Sequence, residues 1–116
     1  MHEKNITIVE SYYKAMRAKD TDGMAAYLHA DVEFVGPLAE LTGRETVIAG
    51  ARGLVSIIND VVIRAKFGSA NQVMLAYDLD CVPPIGKVRT AALMTLKDEL
   101  ITRIEIFCDS KSFGRP

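Results

Sequence analysis

The hydrophobic period of this chain changes once, from helical spacing in front to strict alternation behind, and that order constrains the fold more than any single motif. Ile6, Val9, Tyr13 and Met16 recur at three- and four-residue steps, with Ile8 and Tyr12 widening the stripe, so a helix is predicted there. Asp20, Thr21 and Asp22 supply capping residues for a short second helix holding Met24, Tyr27 and Leu28. A brief strand from Asp31 to Val35 ends at Gly36–Pro37. Thr42-Gly43-Arg44-Glu45 fits a capping box, opening a third helix with Val47, Ile48, Ala51, Leu54, Val55 and Ile58 on one face. Four strands follow: Val61–Phe67, Val73–Val82, Val88–Leu96 and Ile101–Cys108. Pro83, Pro84 and Gly86 mark one turn and Asp98–Glu99 another. Helices followed by a meander of strands predict an α+β fold with the helices on one face of a curved antiparallel sheet.

Composition narrows the function. The 116 residues suit one domain spanning 1–116, and 49% hydrophobic content suits one sizeable core. A net charge of −1 removes the basic excess that nucleic-acid binding uses, so no nucleic-acid partner is expected. No stretch approaches the roughly 20 apolar residues of a membrane span, and no signal-peptide block fits among the charges of the first thirty residues. Two cysteines, Cys81 and Cys108, do not frame a disulfide-stapled module and fit a reducing cytoplasm as small buried hydrophobes.

Two histidines, His2 and His29, limit metal and nucleophile chemistry. No cluster has metal-ligand spacing, so neither a metal nor another cofactor is expected. His29 reads as a cation at the end of the second helix. Gly50-x-x-Gly53 lacks a strand–turn–helix glycine fingerprint and reads as close helix packing rather than phosphate binding. Arg89 and Arg103 read as outward residues beside Glu105, able to pair with it.

The phrases Ile8-Val9-Glu10-Ser11-Tyr12-Tyr13, Asp20…Leu28-His29-Ala30-Asp31-Val32, Thr42-Gly43-Arg44-Glu45 and Ile104-Glu105-Ile106-Phe107-Cys108-Asp109…Phe113 occur in this order over nearly the whole chain. Together they resemble the nuclear transport factor 2-like superfamily, which includes steroid delta-isomerases, limonene-epoxide hydrolases and SnoaL-like polyketide cyclases. The resemblance implies a cone-shaped curved sheet packed against three N-terminal helices (a cystatin-like α+β barrel) over a deep apolar pocket. A homodimer through the outside of the sheet is expected to cover the apolar strand face opposite Asp78 and Asp80 when those acids face the pocket. The resemblance also implies that Tyr12 matches the first-helix oxyanion donor of the isomerases. The isomerase base and second donor are replaced by Gly36 and Ala92. Against the epoxide hydrolases, Asp78-Leu79-Asp80 aligns with an Arg-x-Asp tripeptide, and the last-strand acid falls on Ile106. Asp109 reads as a structural acid fixing the exit of the chain.

Alternation puts Asp78 and Asp80 on one strand face with Met74, Ala76 and Val82, opposite Val73, Leu75, Tyr77, Leu79 and Cys81. Facing solvent, the acids belong to an ordinary half-buried strand. Facing the pocket, two carboxylates about 7 Å apart in apolar surroundings would have at least one raised pKa, suited to acid–base work. On that reading Asp80 and Asp78 are catalytic with Tyr12 as donor. The ligand is then lined by Met16, Phe34, Leu54, Met74, Ala76, Thr90, Ala92, Ile104 and Ile106. Three functions stay open: a SnoaL-like isomerase, cyclase or hydrolase, a non-catalytic binder of a small hydrophobic molecule, and a dimerisation or partner-binding module.

Overall fold

In the computed structural model, which describes residues 2–109 and 111, the chain runs α1 (His2–Arg17), α2 (Thr21–Ala25), β1 (Leu28–Val35), β2 (Glu40–Thr42), α3 (Arg44–Val55), β3 (Ile58–Ser69), β4 (Gln72–Cys81), β5 (Lys87–Lys97) and β6 (Leu100–Cys108). The strands form one sheet in the order β2-β1-β6-β5-β4-β3. It is an open, curved α+β sheet backed by the N-terminal helices, as the change of period predicts. It is mixed rather than wholly antiparallel, because β1 lies parallel to β6, with Phe34 opposite Ile104. No helix among the described residues is long and apolar enough to cross a membrane.

The apolar stripe of α1 packs down as expected, with Val9, Tyr12, Tyr13 and Met16 buried. Its C-terminal end is tied to β3 by Arg17, whose Nε and Nη2 donate to the Val61 carbonyl at 3.2 and 2.8 Å. Asp20 caps α2 as read, its Oδ1 accepting from the Gly23 amide at 2.9 Å. The helix ends earlier than expected, so His29 lies in β1, where its Nδ1 accepts from the Asp31 amide at 3.0 Å. The capping box does not form. Thr42 is drawn into β2 opposite Glu33, and Gly43 takes the cap position at φ 96° with no side-chain cap bond. A side chain is strained at that φ, so glycine suits the position.

At the distal hairpin, Asp98 and Glu99 both take positive φ (52° and 67°), as a two-residue turn with primed geometry requires. Arg103 lies 3.9 Å from Glu33 on β1, so the pairing expected with Glu105 goes to the parallel neighbour instead. Phe113 lies outside the described residues.

The sheet has two unlike faces. On β4, Val73, Leu75, Tyr77, Leu79 and Cys81 are buried while Gln72, Met74, Ala76 and Asp80 are exposed. The inner row continues through Val88, Thr90, Ala92, Met94 and Leu96 of β5 and Ile101 and Ile104 of β6, all buried. The apolar face of β4, opposite Asp78 and Asp80, is therefore part of the core.

Candidate functional site

Between the helices and the inner face of the sheet lies a cavity of about 330 Å³, at the lower end of the range that holds drug-sized ligands. Helix α1 contributes Tyr12, Tyr13 and Met16 to its lining, and α3 contributes Val47, Gly50, Ala51, Gly53 and Leu54. Phe34, the Gly36–Leu38 turn, Leu41 and Ile57 form one side, and Tyr77, Leu79, Thr90, Ile104, Ile106 and Cys108 form the sheet floor. Of the residues proposed from sequence, Tyr12, Met16, Phe34, Leu54, Thr90, Ile104 and Ile106 meet around this space.

The remainder do not. Asp78 and Asp80 lie on the outer face with exposed Met74 and Ala76. Once Tyr77 and Leu79 enter the core, the pleat turns every even-numbered residue from 72 to 80 outward. Ala92 is on the inner face and wholly buried, but between Leu75 and Ile106 in the packed core rather than at the cavity wall. Asp78 sits between Val62 and Arg89, with 13% of its side chain exposed. Arg64 approaches its Oδ1 only to 3.7 Å, beyond hydrogen-bonding distance, and that oxygen has no hydrogen-bond partner. The two-aspartate acid–base site is not assembled.

Among the described residues the lining holds no carboxylate, histidine, lysine or arginine. Its polar atoms are three tyrosine hydroxyls, the Thr90 hydroxyl and the Cys108 thiol. Thr90 donates to the Val88 carbonyl at 3.3 Å. The Tyr13 hydroxyl donates to the Tyr77 oxygen at 3.0 Å, their ring centroids 4.6 Å apart. Tyr12 meets Tyr13 edge to face, centroids 5.4 Å apart and planes at 89°.

Among the described residues this leaves two hydroxyl protons without an acceptor. Tyr77 already receives from Tyr13, so its own hydrogen is free. Tyr12, 3% exposed, makes no side-chain hydrogen bond among the described residues. Its side chain lines the cavity. Sequence reasoning passed over Tyr13, Tyr77 and Cys108. The signal for Tyr77 was present in the alternation that groups it with Leu75 and Leu79.

Burial raises the pKa of all three tyrosines, and in Tyr13 the neighbouring Tyr77 adds to it. The Tyr13 hydrogen bond pulls Tyr77 back only in part. The Cys108 thiol is also pushed up, by burial and then by Asp109. All four groups are neutral donors at neutral pH, not bases.

The tyrosines carry a stability consequence. In the unfolded chain they lose their protons near pH 10, whereas in the folded chain they keep them. Above about pH 10 the unfolded state binds fewer protons, so stability falls as pH rises, by up to about 1.4 kcal/mol per pH unit for each tyrosine. Urea midpoints measured from about pH 9 to about pH 11 are expected to decline, and less steeply in Tyr12→Phe. A flat profile would show that these hydroxyls are not buried.

Comparison with known proteins agrees with this architecture. No curated protein matches the sequence. A structure from Kribbella flavida DSM 17836 superposes with a TM-score of 0.88 at 22% identity, covering 94% of this chain and 89% of that one. A candidate SnoaL-like polyketide cyclase from Jannaschia sp. CCS1 gives 0.84 at 18% identity, covering 97% and 90%. TerC, co-crystallised with polyporic acid, gives 0.82 at 18% identity, covering 96% and 95%. At such identities these likenesses speak for the fold alone. The profile of the SnoaL-like domain matches residues 9–104, and the chain belongs to that family, within the nuclear transport factor 2-like superfamily.

Proposed function

We propose that this protein binds a small, neutral, largely apolar molecule bearing one hydrogen-bond acceptor, and that it does so without acid–base catalysis by Asp78 or Asp80. The observation that carries this reading is the lining: apolar walls, two tyrosine protons without an acceptor, and no ionised side chain among the described residues. Proton abstraction or epoxide opening needs an acid or base within hydrogen-bond reach of the ligand, and the aspartates stand on the other side of the sheet. An anionic ligand would lose its hydration with no cation to replace it. A carbonyl oxygen, with two lone pairs, suits Tyr12 and Tyr77 as donors. TerC, of the same fold, was co-crystallised with a small molecule, in keeping with this use of the cavity.

The test compares 2-acetylnaphthalene with 2-ethylnaphthalene, near-identical in shape but differing by the carbonyl. Calorimetric titration is expected to favour the ketone about 5-fold, the worth of one net hydrogen bond of about 1 kcal/mol. Tyr12→Phe should reduce that preference, and Asp80→Asn should change neither affinity. Absence of binding, or loss of binding in Asp80→Asn, would overturn the reading.

A second observation favours self-association. The outer sheet face exposes Val62 (46%), Phe67 (69%), Met74 (39%) and Phe107 (47%). Leu93 and Ala91 of β5 lie in register between them. Lone apolar residues on a surface are ordinary, but a contiguous patch marks an interface. We assign this face to a second copy of the chain, in a cytoplasmic homodimer with both cysteines free. That contact would cover the apolar rows and the stranded Asp78 oxygen together.

A further inference from the structure

We infer that ligands reach the cavity between the Pro37–Leu38 turn and the Gly50–Gly53 face of α3, and that Gly53 sets which ligands pass. The inference rests on the cavity being a ligand site. Among the described lining residues, Pro37, Leu38, Gly50 and Gly53 are the ones also exposed to solvent. They therefore mark the mouth.

Both glycines stand inside a 12-residue helix, where glycine is costly relative to alanine. Neither has the positive φ that would demand glycine, unlike Gly43 and Gly86. Packing does not require Gly53, since an added Cβ there meets nothing within 4 Å. The close packing expected of the Gly-x-x-Gly pair thus holds only at Gly50, where a Cβ would come 3.1 Å from the Leu41 Cδ1. Three residues apart, the two share a helix face, and what that face gains from lacking side chains is an open doorway. Leu38, 40% exposed, provides an apolar sill. Independently, the buried Tyr12 side chain in the same lining, without a hydrogen-bond partner among the described residues, points to a ligand inside.

The experiment follows the association rate of prodan, a neutral fluorescent ketone, by stopped flow. Gly53→Phe is expected to slow association at least 10-fold, with an unchanged circular dichroism spectrum. Leu38→Trp, on the opposite rim and in an exposed turn, should slow it as well and serves if Gly53→Phe folds poorly. Ala49→Phe, exposed on the same helix but outside the lining, should bind at the parental rate. If the parent binds prodan and both rim variants associate at its rate, the doorway is elsewhere and the inference falls alone. If the parent binds neither prodan nor the naphthyl ketone, the ligand-site reading falls and takes the doorway with it.

Discussion

Replacing Met74 and Phe107 together by glutamate is expected to halve the mass of the particle in solution while leaving the chain folded. The two residues lie on adjacent cross-strand rows of the outer face. One row runs Phe107–Ala91–Ala76 and the next Glu105–Leu93–Met74–Phe67. Stable pairing needs roughly 600 Å² or more from each partner, which these rows and their rims would have to supply. Two carboxylates in the centre would lose hydration on association. In the monomer they would remain solvated, so folding should be little affected. Sedimentation velocity reads the result directly. A parent that is already monomeric, or a variant that still dimerises, would remove the outer face as the interface.

The largest effect on stability is expected at Leu75, one residue away but on the opposite face. Leu75 is wholly buried on β4, opposite Ala92 on β5, and is not in the lining of the cavity described above. Leu75→Ala should therefore cost about 2–5 kcal/mol, lost transfer energy plus the void left behind. That is a large share of the roughly 5–15 kcal/mol typical of a domain. Met74→Ala, with the neighbouring side chain exposed, should change the unfolding free energy of the separated chain by about 0.5 kcal/mol or less. Urea unfolding of both variants, in the monomeric background, measures the contrast. The reverse order would mean that the faces of β4 had been exchanged.

The three helices and the four long strands were legible from period, because an amphipathic stripe records which side a segment buries, whereas the three-residue β2 is too short to carry one. The α1 stripe, the Asp20 cap and the Asp98–Glu99 turn rest on interactions within a few residues of one another. The capping box failed for the opposite reason. Thr42 satisfies its local pattern, yet pairing with Glu33 holds it in a strand. The parallel β1–β6 contact joins residues some seventy positions apart and has no local signature. Seven cavity residues were found because most sit on the apolar faces of α1, α3 and β6. Tyr77 is not marked by the pattern, because alternation groups it with Leu75 and Leu79 without distinguishing packed core from cavity wall.

Alternation by itself determined that Asp78 and Asp80 share one face with Met74 and Ala76, and that Tyr77 shares the other with Leu75 and Leu79. It did not determine which face looks inward, since a pleated strand is divided by its period without being oriented by it. Tertiary structure decided that. With β3 and β5 on either side and the helices above, burying Leu75, Tyr77 and Leu79 removes apolar surface from water. Burying the acids would instead have stripped two charges of solvent. The same packing brought Tyr13 to Tyr77 across sixty-four positions and left a cavity with hydroxyls where one of the two readings of the strand placed carboxylates.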